Sequence, residues 1–418
     1  MRSVLSYLVV LFATYCVLAG CAWRLKVRPT TEHVSVLVTS GLDCKTLPLQ
    51  AAAVHKARSL GPTIWFVVGE VLNDTLWSEM SEAEVQVRLL NAAGVDAVLM
   101  GPEWLRYGGG RVRTLVDIGR FYLLAANIVD TVRQTVGHEF MLRQFGGIVL
   151  GATGLCFDSS AIEFLQSGVM FLSPSYVAPK LTVVLRQRAD VRMALMGEGA
   201  YWQQEGEYHL IVAPSGNRTS VLAPSQKPEM IAWYDLSVAA GAVSTVGKEV
   251  ALDGYKPVSA VTRVCDSIAS AIDSQAALVV AESQVVLSPS VLTRILARTL
   301  LVEQQADFVV FDTLGIEAIK PGIITQGMIC RNVSRIGRLV VLDLEGRRVR
   351  DLLRVPGRVV ERRHGIRTQR LAMRRTYTVL TSTEFVRRNP ELARCRYQMI
   401  ATPPWRIMAS VLRRESGL

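Results

Sequence analysis

Apolar residues follow two different periods along this chain. Short, nearly unbroken apolar runs at residues 34–39, 64–68 and 96–100 predict buried strands. Residues 121–126, 147–150, 183–185 and 210–212 continue the series. Between them, residues 82–93 repeat apolar positions at three- and four-residue spacing, which predicts an amphipathic helix stopped by Gly94. Strands and helices alternating at this spacing predict an α/β unit over residues 32–230. A second unit is expected over 255–418, with helices at 258–272 and 289–303 and strands at 306–311, 339–344 and 377–381. Pro289 is acceptable in the first turn of its helix. Residues 231–254 read as the connection between the units.

The N-terminus has a pattern of its own. Met1-Arg2-Ser3 carries one positive charge, residues 4–18 are almost wholly apolar, and Leu18-Ala19-Gly20-Cys21 follows. A short basic start, an apolar run and small exit residues predict a secretory signal over 1–20. Leu-Ala-Gly-Cys looks like a bacterial lipobox. On that reading Cys21 is acylated on sulfur (palmitate or a similar chain), becomes the mature N-terminus, and begins a tether over 21–31. An uncleaved anchor or an ordinary signal with a chance cysteine is the alternative. The expected location is an exported, membrane-anchored lipoprotein facing the periplasm or the cell surface, with the bilayer as a partner through Cys21.

Composition narrows the field further. At 418 residues, 50% hydrophobic and 20% charged, the chain is neither disordered nor a small disulfide scaffold. Of seven cysteines, Cys16 leaves with the signal and Cys21 takes the lipid, so an odd five remain: Cys44, Cys156, Cys265, Cys330 and Cys395. None form a CxxC pair, which argues against a zinc ribbon. One disulfide is open to them, with its partners undetermined. The net charge of +11 is unevenly placed: residues 331–418 hold 21 arginines, no lysine and 7 acidic residues. Such a field attracts phosphates, acidic glycans or anionic lipid heads, and it is also what an ordinary solvated face looks like. The expected contact through 331–418 is an anionic envelope component or a protein. Nucleic acid is not expected, because no aromatic residues interleave with the arginines as a stacking platform needs.

Five segments carry a family resemblance. Residues 91–101 (NAAGVDAVLMG), 121–130 (FYLLAANIVD) and 146–155 (GGIVLGATGL) follow one another in the order and style of a calcineurin-like metallophosphoesterase domain. Further on, Lys320-Pro-Gly-Ile-Ile-Thr-Gln-Gly327 and 339–346 (LVVLDLEG) are similar to a 5′-nucleotidase C-terminal domain. The whole resembles the bacterial 5′-nucleotidase and cyclic-phosphodiesterase family. That resemblance implies an α/β (α+β) fold: a four-layer β-sandwich with flanking helices, followed by a smaller α/β substrate domain. It also implies two divalent ions that activate a water and clamp a phosphoryl group.

The ligand motifs of that family are altered here. Where the resemblance places Asp-x-His, the chain has Gly41 and Asp43. The bridging Asp is Glu70, one methylene longer. The Gly-Asn-His-Glu motif reads Gly101-Pro102-Glu103-Trp104, and proline offers neither donor nor acceptor. The Gly-His-x-His motif is replaced around Ser215 and Asn217, and His209 just before it reads as an ordinary strand histidine. The substrate loop has Asp312 for Asn, then Gly315, with Glu317 for Arg; a carboxylate there repels phosphate. Arg335 stands in the segment of one base-stacking Phe, and Phe385 near the other without its glycine turn.

Losses on both halves of one site point to a fold kept for its surface. The leading expectation is a non-catalytic lipoprotein with a binding or envelope-assembly role and no cofactor. One alternative is a divergent phosphoester hydrolase of nucleotide catabolism, holding a divalent cation on Asp43, Glu70 and Glu103. Another is a solute-binding or adhesion lipoprotein.

Overall fold

The structure, a computed structural model, describes residues 32–416 except positions 42, 70, 72–75, 131, 157–168, 198–207, 215–220, 240, 241, 314, 356, 367, 369, 370, 394 and 396. The expected signal, Cys21 and the tether lie outside the described residues.

The first unit is two sheets packed face to face. Thr63–Val68 reads TIWFVV and is buried along its whole length, as a central parallel strand must be. It pairs in parallel with Glu32–Ser40 on one side and Ala97–Leu99 on the other. Tyr122–Leu124 continues that side in parallel. Alternation sends Val36, Val38, Ile64, Phe66 and Val68 to one face and Leu37, Trp65 and Val67 to the other. The first set meets Leu150, Ala152, Val191, Met193 and Leu195 of a second, five-stranded sheet. Helices cover both outer faces, Leu47–Leu60 and Glu84–Ala93 on the first sheet and Pro174–Arg188 on the second, which completes the four expected layers.

Two expectations are corrected here. Residues 231–254 are not a connection. Met230–Ala239 and Ala242–Ala251 form an antiparallel hairpin that adds two outer strands to the first sheet beside Glu32–Ser40. Ile231, Trp233 and Leu236 are buried by that pairing, which local sequence does not reveal. Residues 183–185 are not a strand but part of the helix Pro174–Arg188. Its buried positions Val177, Ala178, Leu181, Thr182 and Leu185 lie at helical spacing, and the interior Pro179 hides that period.

The second unit carries a five-stranded sheet in the order Arg358–Arg362, Phe308–Asp312, Thr376–Ser382, Leu339–Glu345, Tyr397–Met399. A two-stranded ribbon, Val279–Ser283 with Gly322–Thr325, lies beside it. The helix Pro289–Glu303 starts where expected: the Ser288 hydroxyl accepts from Val291 N at 3.4 Å and Pro289 occupies the first turn. The helix Ser259–Ala276 packs on Leu47–Leu60 and Glu84–Ala93 of the first unit. A single apolar cluster therefore runs from Trp65 and Trp104 through Ile268 and Ile329 to Trp405. Among the described residues no helix is long and apolar enough to cross a membrane.

Sheet-to-sheet approach is tightest at Gly154, where a Cβ would stand 2.5 Å from the Leu124 carbonyl oxygen. Gly154→Ala is expected to destabilise the protein by about 1–3 kcal/mol through overpacking, measured by urea unfolding.

Candidate functional site

The strand Glu32–Ser40 ends at Gly41, whose φ of +67° turns the chain. Asp43 follows as an exposed turn residue: its Oδ1 accepts from Lys45 N at 3.0 Å. Its carbonyl accepts from Thr46 N at 3.1 Å and Leu47 N at 2.8 Å, starting the next helix. Gly101 precedes the short 3-10 helix Pro102–Tyr107. The Glu103 carboxylate folds back over Gly101, so a Cβ there would sit 2.0 Å from Glu103 Oε2. Glu70, Ser215 and Asn217 lie outside the described residues.

Among the described residues no three His, Cys, Asp or Glu side chains gather to hold an ion. Gly41 and Pro102 bring no side-chain ligand atom, and one of the two Asp43 carboxylate oxygens accepts from Lys45 N. The described residues at these positions do not fit the two-ion centre that the family resemblance implies. His209 is a strand-edge residue: Nδ1 accepts from Arg192 N at 3.2 Å and Nε2 lies 3.0 Å from Arg192 Nη2. Burial, then the Arg192 charge, holds the imidazole below its usual pKa.

The substrate-domain positions are engaged elsewhere. Asp312 accepts from Arg388 Nη1 at 3.4 Å. Glu317 pairs with Arg335, while its backbone N donates to Asn332 Oδ1 at 2.7 Å. Gly315 makes a left-handed turn at φ +88° against Arg335. Phe385 is 2% exposed, a core residue with the Arg358 guanidinium 4.8 Å above its ring. It stacks no ligand from there.

The structure instead shapes a cavity of about 540 Å³ where the two units meet. Its wall takes Glu79 and Arg106 from the first unit and Arg331, Arg335, Arg338 and Arg387 from the second, with Glu384 as the other acid. Glu79 pairs with Arg106 at 3.2 Å, and Glu384 pairs with Arg387 and with Arg388 at 2.8 Å. Burial pushes the Glu384 carboxyl up, but the Arg387 and Arg388 guanidiniums outweigh it and hold it below the usual carboxylate range. Cys330, also on the wall, has its thiol pushed up to about 12 by burial. Arg106, Arg338 and Arg387 did not stand out in the sequence. The only signal was the density of arginine after residue 331.

Behind the cavity wall lies a clamped corner. Glu82 and Ala83 both adopt left-handed backbone, at φ +50° and +65°, which non-glycine residues rarely do. Arg338, 5% exposed, lies 3.4 Å from Glu82 Oε2 and 5.1 Å over the Tyr107 ring. Arg406 reaches Glu82 Oε1 at 3.5 Å, and Arg111 Nε donates to the Glu82 carbonyl at 3.2 Å.

Three comparisons place this geometry. No protein-family model matches the sequence, and no curated protein matches it. Solved structures do match over nearly the whole chain. The structure of a 5′-nucleotidase precursor from Thermus thermophilus is 14% identical with a TM-score of 0.55, covering 92% of this chain and 97% of its own. A Staphylococcus aureus structure, assigned as a 5′-nucleotidase and solved with α-ketoglutarate, is 12% identical with a TM-score of 0.59, at the same coverages of 92% and 97%. The NAD nucleotidase of Haemophilus influenzae is 12% identical with a TM-score of 0.55, over 93% and 97%. The fold is therefore that of the two-domain 5′-nucleotidases, and at these identities the likeness is one of fold.

Arg338→Ala removes one of the two guanidiniums beside Glu82 and leaves Arg406. The variant is expected to lose about 1–3 kcal/mol in urea unfolding. Cys330 is expected to resist alkylation in the native protein. Its rate with iodoacetamide should keep rising beyond pH 10, because a thiol titrating at about 12 is still protonated where an ordinary thiol is ionised.

Proposed function

We propose that this protein is a non-catalytic binding protein. It is exported, held on a bacterial membrane by acylated Cys21, and uses a 5′-nucleotidase-like fold to take an anionic solute between its units. The observation that carries this reading is the cavity itself. Five arginines and two glutamates line it, while Gly41 and Pro102 occupy positions where relatives are expected to hold metal. A guanidinium-lined cavity suits carboxylate or phosphate oxygens without any ion. The α-ketoglutarate held by the Staphylococcus aureus relative makes a small dicarboxylate a reasonable first probe.

The Arg-rich segment supports a second contact with the envelope. Arg363 N donates to Asp307 O at 2.9 Å, Gly346 N to Arg375 O at 2.9 Å, and Arg347 N to Met373 O at 3.3 Å. These bonds draw exposed Arg347, Arg362, Arg363, Arg374 and Arg375 to one end of the second unit's sheet. A hydrolase using Asp43, Glu70 and Glu103 is the competing reading, and the turn that occupies Asp43 weighs against it.

Purified protein is expected to carry no stoichiometric metal and to leave bis-p-nitrophenyl phosphate intact with Mn²⁺, Co²⁺ or Zn²⁺ added. Turnover abolished by Glu70→Ala would instead establish the hydrolase. In a thermal-shift screen, dicarboxylates or phosphate are expected to raise the midpoint and uncharged solutes not. Arg331→Ala with Arg335→Ala should reduce the shift by more than half.

A further inference from the structure

The five arginines of the cavity wall are not equivalent. Four of them stand beside an acid: Arg106 beside Glu79 at 3.2 Å, Arg335 beside Glu317, Arg338 beside Glu82 at 3.4 Å, and Arg387 beside Glu384. Arg331 is exposed and, among the described residues, makes no hydrogen bond and no ion pair through its side chain. It sits in the last turn of the helix Gln326–Val333. Ser334 and Arg335 follow it at three and four residues, on the same side of that turn, and all three line the cavity. The wall therefore offers one guanidinium whose charge nothing in the fold has answered.

Much of the remaining wall is apolar. Leu76 enters from the first unit, and Met399, Pro403 and Pro404 from the second. At about 540 Å³ the cavity has the size of a small-molecule site and holds several carbons besides one charged group. A solute charged at both ends would set its second charge against those apolar side chains or beside Glu79 and Glu384. Neither place returns what the charge loses on leaving water. A solute with one anionic head and an apolar body meets no such cost.

We propose that the cavity takes an organic monocarboxylate, with its head on Arg331 and its body against Leu76, Met399, Pro403 and Pro404. The proposal rests on the reading of this cavity as an anion site and narrows it to one class of ligand. The planar guanidinium donates two parallel N–H bonds to the two carboxylate oxygens, which fixes the head and directs the body inward. Dicarboxylates and phosphate meet the same guanidinium but gain nothing from the apolar wall, so they bind more weakly.

The test is calorimetric titration of the purified full chain, at one ionic strength, with acetate, butyrate, hexanoate, glutarate, inorganic phosphate and hexanol. Affinity is expected to rise from acetate to hexanoate by about two- to fourfold per methylene. Hexanol is expected to bind at least tenfold more weakly than hexanoate. Arg331→Ala should lower hexanoate affinity at least tenfold, and Arg331→Lys should recover only part of it, because the charge returns without the fork. The unliganded thermal midpoint of Arg331→Ala should stay close to the parent's, since an exposed side chain without partners carries little stability. If glutarate or phosphate binds as tightly as hexanoate, or if affinity does not climb with chain length, the inference is overturned while the anion reading stands. Hexanoate binding that survives Arg331→Ala overturns it equally. If no anion binds at all, the anion reading itself falls and the inference falls with it.

Discussion

The pairing of Glu82 with arginines from the second unit is the interaction on which the site depends. Arg338 and Arg406 both reach that carboxylate across the junction, and Arg111 holds its backbone from within the first unit. Two successive left-handed non-glycine residues are costly, and they persist only where surroundings over-determine them. Tyr107 beneath Arg338 and the apolar cluster around Trp104, Ile329 and Trp405 bury the Arg338 side of the corner, while Arg406 reaches it from solvent. The cavity wall is built on this corner. Loosening it would alter the spacing of Arg106 from Arg331 and Arg338, which come from different units.

The side chains at the positions singled out in the sequence are engaged in structural contacts. Asp43 starts a helix, Glu317 pairs with Arg335, Asp312 with Arg388, and Phe385 fills the core under Arg358. The acids Glu317 and Asp312 each have an arginine beside them, which offsets their charge. Of these arginines Arg335 also lines the cavity between the units.

Much of the architecture was legible in the chain. The apolar run 64–68 read as a buried strand, and the helix 289–303 was expected with Pro289 in its first turn, as both are found. The hairpin at 230–251 was not legible, because its apolar residues are spaced for a partner strand some 200 residues away: Leu236 pairs with Val34. Nor was the helix over 174–188, where Pro179 interrupts a period that burial restores. At the site, that Gly41 and Pro102 offer no side-chain ligand atom was plain from residue type alone. The cavity was not, since Arg106 and Arg338 are unremarkable until folding sets them together.

The succession of strands and helices along the chain, the basic C-terminal segment 331–418 and the odd number of cysteines follow from the sequence itself, because each is a property of local pattern or of residue chemistry. Which acid meets which arginine, and that Glu82 and Ala83 bend the chain left-handed, follow only from tertiary packing. The physical reason is separation. Those contacts join residues that local periodicity never compares, and their energies depend on burial that exists only once the two units have closed on a common core.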